Sequence, residues 1–104
     1  MIKGLEMRVG RIVEAKPHPK ARKPAYVLKI DFGPYGIKTS SAQITDLYKV
    51  EDLIGRLVIC ATNLEPKNIA GVISEVLVLG VPDEEGRVVL IGPDRDVPLG
   101  GEVF

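Results

Sequence analysis

The sequence has little of what catalytic and metal-binding sites usually require. Its 104 residues include one cysteine, one histidine, no tryptophan and only five aromatic residues. Cys60 lies in the apolar run LVICA, which is typical of a small buried hydrophobe in a reducing compartment. His18 has no nucleophile or carboxylate near it in sequence, and there is no Gly-rich phosphate loop or serine elbow. We therefore expect no enzyme activity, no cofactor and no metal site.

Long hydrophobic runs are also missing. The longest uncharged apolar run, Val76 to Pro82, is far too short to cross a bilayer. Met1 to Gly10 carries charge and contains no apolar signal core. These features predict a soluble cytoplasmic protein without membrane insertion.

The charge is balanced overall but unevenly distributed. Residues 1–38 hold nine Lys or Arg against three acids, whereas residues 39–104 hold five against eleven. The first third can therefore present a basic surface. A net charge of zero argues against strong, nonspecific nucleic-acid binding.

The composition favours a mostly β domain of short strands. Valine and isoleucine together supply 23 residues, and 11 glycines and 8 prolines are spread between the apolar runs. The length predicts a single domain, residues 1–104. Alternation and turn residues predict strands over 7–15, 26–32, 36–45, 57–64, 74–79 and 88–91.

One short helix is expected between the third and fourth strands. It runs from Asp46 to about Ile54, with Thr45 as its cap and Gly55 as its stop. Gly10 is expected to mark a bulge or bend in a long first strand. This order predicts an OB-fold, a five-stranded Greek-key barrel with a C-terminal extension, and an SH3-like barrel is the main alternative.

The third strand, GIKTSSAQIT, carries hydroxyls and an amide where an apolar face would be usual. In an OB barrel this strand lies at the binding face, where small polar side chains let a ligand approach closely. Alternatively, Ser40, Ser41 and Ala42 are small because the barrel interior or the adjacent helix leaves no room. The sequence leaves both interpretations open.

Several strings resemble one known family. They are RVGRI (8–12), VLKIDFG (27–33), SSAQIT (40–45), NLEPKNIAG (63–71) and SEVLVLG (74–80). The chain resembles the tRNA-binding domain superfamily, and within it the CsaA-type export-related chaperones. The resemblance implies an OB-fold homodimer that binds unfolded preprotein segments, or alternatively a free-standing tRNA-binding protein that acts in trans.

The candidate RNA- or peptide-binding residues come from the basic loop after the first strand, from the third strand, and from the family's Asn-Leu-x-Pro-Lys pattern. They are Lys20, Arg22, Lys23, Ser40, Ser41, Gln43, Asn63, Lys67, Asn68, Ser74 and Glu75. Glu75 and Asn68 depart from the pattern of tRNA-binding members. Glu75 places an acid beside the groove, where it repels phosphate, and Asn68 stands where a basic residue is common.

A dimer interface is predicted from apolar residues that a small barrel can hardly cover alone. The candidates are Leu47, Leu53, Ile54, Val97, Leu99, Val103 and Phe104. The alternative is that the C-terminal tail pairs as a further strand within its own chain.

Overall fold

The fold is a curled antiparallel sheet. The computed structural model describes all residues 1–104. The strands are β1 (Met7–Pro17), β2 (Tyr26–Asp31), β3 (Ile37–Ala42), β4 (Leu57–Ala61), β5 (Lys67–Ile69), β6 (Val72–Ser74), β7 (Leu77–Val78), β8 (Gly80–Pro82) and β9 (Val88–Leu90), and the helix is α1 (Val50–Leu53). Five strands form one sheet in the order β3-β2-β1-β4-β7, while β5-β6 and β8-β9 are hairpins. The β3 and β7 ends approach each other, so the predicted OB-type barrel, with a helix between the third and fourth strands, is confirmed.

The second strand builds the centre of the core. Leu28, Ile30 and Phe32 alternate along it and are almost completely buried, as its period-2 pattern predicts. The same period-2 pattern places Val27 on the outer face, but Val27 is also buried. The outer face of β2 is therefore partly covered as well.

The long first strand, β1, bends and pairs with two neighbouring strands. Its first half pairs with β4 and its second half with β2, and the register shifts between Ile12 and Glu14. The bulge thus lies at Val13 and not at Gly10. Gly10 has a different role, because a Cβ there would lie 2.5 Å from Ile30 Cγ2 and 2.8 Å from Phe32 Cε1. The barrel wall and core approach too closely at this point for a side chain.

The helix is shorter than predicted and begins later. Thr45 is not its cap; the N-cap residue is Lys49, whose N–H donates to Asp52 Oδ2 at 3.3 Å. The Tyr48 carbonyl accepts a hydrogen bond from the Tyr26 hydroxyl at 2.7 Å instead of continuing a helical ladder. Leu53, on this single turn, is 0% exposed and packs in the core. Its prediction as a dimer-interface residue is therefore wrong.

A hairpin lies between the predicted strands 57–64 and 74–79. The sequence predicts no strand over residues 65–73 and one strand over 74–79, but β5 and β6 pair from Lys67 with Ser74 to Ile69 with Val72. The connection is Ala70-Gly71, and both have positive φ, 49° and 92°. These angles are those of a type I′ turn, whose twist matches that of the flanking strands.

The C-terminal tail runs beside the first strand of its own chain. Gly100 N–H donates to Val9 O at 2.8 Å, and Val103 N–H donates to Met7 O at 2.8 Å. The tail therefore pairs within the chain, as the alternative expectation had it, although Phe104 remains fully exposed. No helix is long and apolar enough to span a membrane.

Candidate functional site

A groove follows the outer side of β3. Three cavities, of about 670, 320 and 290 Å³, all share Ser41 in their lining. We call the three together the β3 groove. Its walls are the loop 21–25, the β5-β6 hairpin and the segment 74–78.

The first part of the β3 edge is closed by its own chain. Thr39 N–H donates to Glu75 Oε1 at 3.0 Å, and Thr39 O accepts from Glu75 N–H at 2.8 Å. Ser41 N–H donates to Ser74 Oγ at 3.1 Å, and that hydroxyl donates onward to Val76 O at 3.2 Å. Glu75 and Ser74 thus complete the barrel where two strands would otherwise present bare edges.

The next part of the same edge is open. Ser41 O receives only a 3.5 Å contact from the Ser40 hydroxyl, and neither the backbone nor the side-chain amide of exposed Gln43 has a hydrogen-bond partner. Backbone groups of residues 39 and 41 point outward along this edge. A carbonyl at Ser41 followed by an amide at Gln43 is the pair of groups that an added strand engages.

Three basic side chains line the β3 groove. Arg22 and Lys23 line its largest cavity together with Gln43 and Asn68, and Lys67 lines the second cavity, which Glu65 and Glu75 also line. Arg22, Lys23 and Lys67 form no ion pair. Their charges are therefore free for an anionic or carbonyl-rich ligand.

Apolar side chains also line the β3 groove. Leu64 and Leu77 are 43% and 50% exposed and line one cavity with Ile69. Val78 and Val88 continue this surface past Ala42. No aromatic side chain lines the β3 groove.

His18 links the basic loop after β1 to the β5-β6 hairpin through hydrogen bonds. The ring is buried; Lys20 N–H donates to His18 Nδ1 at 3.1 Å, and Nε2 lies 2.8 Å from Ile69 O. Since Nδ1 accepts, Nε2 carries the proton and donates to the carbonyl. No local pattern in the sequence reveals this role, because Ile69 is 51 positions away from His18.

The structure brings together most of the predicted binding residues. Those that line the β3 groove are Arg22, Lys23, Ser41, Gln43, Lys67, Asn68, Ser74 and Glu75. Lys20 lies on the same loop but lines no cavity. The Asn68 side chain also accepts from Gly71 N–H at 2.8 Å, so part of its polarity shapes the hairpin turn.

Two predicted binding residues are placed elsewhere. Ser40 is 0% exposed, so a direct ligand contact is wrong, and its small size reflects the packed interior. Asn63 Oδ1 accepts from Glu6 N–H at 2.9 Å, and its Nδ2 donates to Gly4 O at 2.8 Å. Its amide therefore holds the N-terminal segment and does not face the β3 groove.

A separate polar cluster joins the chain termini. The Arg8 guanidinium stacks 4.0 Å from the Tyr35 ring centroid and donates to Gly100 O at 2.8 Å. Its Nε lies 3.1 Å from Glu6 Oε1, an ion-pair distance without hydrogen-bond alignment. Thr62 donates to the same Glu6 oxygen at 2.6 Å. The Thr62 hydroxyl and Arg8 lower the pKa of Glu6 below 4.5.

Removing the Thr62 hydroxyl is expected to raise the pKa of Glu6. A Thr62→Val variant loses the largest cause of the shift, whereas Thr62→Ser keeps a donor and serves as the control. A lowered pKa contributes stability above pH 4.5 that is lost as pH falls through the folded-state value. Carboxyl NMR titration measures the shift, and an identical Glu6 titration in both variants would contradict this assignment.

Known proteins share the sequence and the fold of this chain. Residues 7–102 match the model of the putative tRNA binding domain family. The chain belongs to this family. It is 47% identical to the chaperone CsaA from Bacillus anthracis, with a TM-score of 0.91 and coverage of 96% of this chain and 91% of that one. The CsaA protein from Picrophilus torridus gives 47% identity and a TM-score of 0.90, over 97% and 92% of the two chains. The resemblance to CsaA expected from the sequence is thus confirmed.

Curated relatives carry a similar segment inside a much longer protein. The chain is 43% identical over 99 residues to the methionine–tRNA ligase of Pyrococcus abyssi, which is 95% of this chain but 13% of that enzyme. The corresponding enzyme of Methanocaldococcus jannaschii gives 39% identity over 99 residues, 15% of its length. The chain therefore spans only a small part of these ligases.

Proposed function

We propose that this chain is a non-enzymatic, CsaA-like chaperone that holds an extended, unfolded preprotein segment in the β3 groove. The observation that carries the proposal is the open edge at Ser41 and Gln43, which lies in a groove lined by both basic and apolar side chains. A preprotein segment in β conformation would pair its backbone with this edge. Its apolar side chains would contact Leu64 and Leu77, and acidic ones would face Arg22 and Lys23.

The small side chains of β3 support a polypeptide ligand. Ser41 occupies the point where the three cavities meet, and its short side chain lets a second backbone approach. Sequence-independent binding follows, because backbone hydrogen bonds supply affinity for any extended segment. The lack of an aromatic lining counts against single-stranded nucleic acid, which binds largely by base stacking.

The experiment is a binding titration with a labelled unfolded preprotein segment. Anisotropy should rise saturably with the unfolded segment and should not rise with the same sequence in a folded domain. Equal binding of the folded and unfolded forms would refute the proposal, because a folded domain offers no free extended backbone.

A second candidate ligand is tRNA in the same groove. Arg22, Lys23 and Lys67, which form no ion pairs, favour it, as does the family that matches residues 7–102. In a Lys67→Ala variant, tRNA affinity should fall and the slope of log affinity against log salt should flatten by about one unit. Lys49→Ala removes the same charge outside the groove and should leave the slope unchanged. An unchanged slope in both variants would exclude Lys67 as a phosphate contact.

We also propose that residues 1–104 act as one domain in a cytoplasmic homodimer. Leu47, Ile54, Val97 and Phe104 are exposed, and Leu99 and Val103 are partly exposed beside them in sequence. Covering such apolar side chains is a common reason for self-association. Light scattering should give twice the 11.3 kDa chain mass. A mass of one chain across the micromolar range would contradict the dimer.

A further inference from the structure

A second cavity, of about 410 Å³, lies outside the β3 groove and shares no lining residue with it. It lies where β1, the start of β4 and the segment after β9 meet. Its charged lining residues are Arg11, Arg56 and Asp96, and Gly92 lies beside them. The two cations outnumber the acid, and no ion pair forms among the three.

The Arg56 guanidinium is positioned without using its donors. It stacks 5.0 Å from the ring centroid of Tyr48 and makes no side-chain hydrogen bond or ion pair. The Tyr48 ring is itself fixed, since its hydroxyl accepts from Leu90 N–H at 3.0 Å. Buried Leu90 at the end of β9 thus holds the Tyr48 ring in place. The ring in turn orients the Arg56 guanidinium, whose N–H donors are all available.

Two further donors lie at the same cavity. Arg11 uses one nitrogen, Nη1, to donate to Gly55 O at 2.7 Å, and its other nitrogens have no partner. The backbone N–H of Gly92 makes no hydrogen bond within the chain. A Cβ at Gly92 would lie 2.6 Å from Leu57 O, so the backbone at this position packs directly on the start of β4.

We infer that Arg11, Arg56 and Gly92 form a phosphate-binding site that is independent of whatever occupies the β3 groove. Two planar guanidinium groups and a backbone N–H match the oxygens of a phosphate group, which accepts several charge-assisted hydrogen bonds at once. Asp96 opposes this ligand, and its carboxylate weakens the site by like-charge repulsion. The ligand is a free phosphate ion or a phosphodiester of RNA, because both present the same oxygens.

The test is an NMR titration of the full chain with inorganic phosphate at constant ionic strength, with chloride as the balancing salt. The Gly92 amide and the Arg11 and Arg56 Nε–H signals should shift saturably. Arg56→Gln and Arg11→Gln should each weaken phosphate binding about tenfold. Asp96→Asn should strengthen it severalfold, and Arg95→Gln, an 86% exposed arginine on the same segment, should change it less than twofold.

Two results would overturn the site. One is a shift that rises linearly without saturation in the wild-type protein. The other is a loss in Arg95→Gln as large as that in Arg56→Gln, which would mean diffuse attraction to positive charge. Amide spectra away from the cavity confirm that each variant is folded.

A second titration distinguishes the two sources of phosphate. A short single-stranded RNA that shifts Gly92 at lower concentration than inorganic phosphate, with loss in Arg56→Gln, identifies a phosphodiester. A response to inorganic phosphate alone identifies the free ion. A variant blocked in the β3 groove, Ser41→Phe, should bind phosphate as the wild type does, so a failure of the groove proposal leaves this site testable.

Discussion

A Leu53→Ala variant is expected to lose about 2–5 kcal/mol of unfolding free energy, the usual cost of truncating a buried leucine. Leu53 is 0% exposed and packs in the core from the single turn of α1. A chain of this size has roughly 5–15 kcal/mol of stability in total. Leu53→Ala therefore tests how strongly the short helix is tied to the core.

An isoleucine of equal exposure outside the proposed dimer interface is the control. Ile73 is 49% exposed, and Ile73→Ala should change the unfolding free energy by less than about 1 kcal/mol. Chemical denaturation with a fixed m-value measures both variants. Equal losses in the two variants would mean that Leu53 is not the residue that anchors the helix.

A Ser41→Phe variant is expected to weaken binding of an unfolded preprotein segment by about tenfold or more, a loss of at least about 1.4 kcal/mol. Ser41 lines all three cavities of the β3 groove, so a phenyl ring there would occupy the space that a ligand backbone needs. The hydrogen bond from Ser41 N–H to Ser74 Oγ involves the backbone and can persist. Folding should therefore survive while binding is lost.

A Ser41→Ala variant distinguishes the effect of a larger side chain on ligand binding from the effect of losing the Ser41 hydroxyl. It keeps the groove open, and its affinity for the segment should stay within about twofold of wild type because the ligand contacts proposed here are made by the backbone. If Ser41→Phe binds the segment as tightly as wild type and unfolds at the same denaturant concentration, the ligand lies elsewhere on the molecule.

The order of the strands could be predicted from the sequence because alternation and turn residues are local signals. The run 26–32 places Leu28, Ile30 and Phe32 in the core, as its period-2 pattern indicates. The first and last residues of the helix could not be predicted from such local signals. The Tyr26 hydroxyl bonds to the Tyr48 carbonyl, 22 positions away, and the helix begins only after Tyr48. Leu53 on this later turn is buried in the core.

The candidate site was partly predictable for a similar reason. Arg22, Lys23 and Lys67 are charged residues in loops or edge positions, where exposure is the default. The Asn63 amide and Nε2 of His18 have hydrogen-bond partners 51 to 59 positions away, which no local pattern shows. The open edge at Gln43 also could not be predicted from the sequence, because it depends on where the chain from Ser74 onward stops covering β3.

The most direct test of the β3 groove is an amide chemical-shift map of the protein with an unlabelled, unfolded preprotein segment. We predict that the largest shifts fall on Ser41 and Gln43, on the Lys67–Ile69 strand and on Leu77, with the Gln43 amide becoming protected from exchange. Shifts confined to the C-terminal tail or to the cavity at Arg56, with Gln43 unchanged, would contradict ligand binding in the β3 groove.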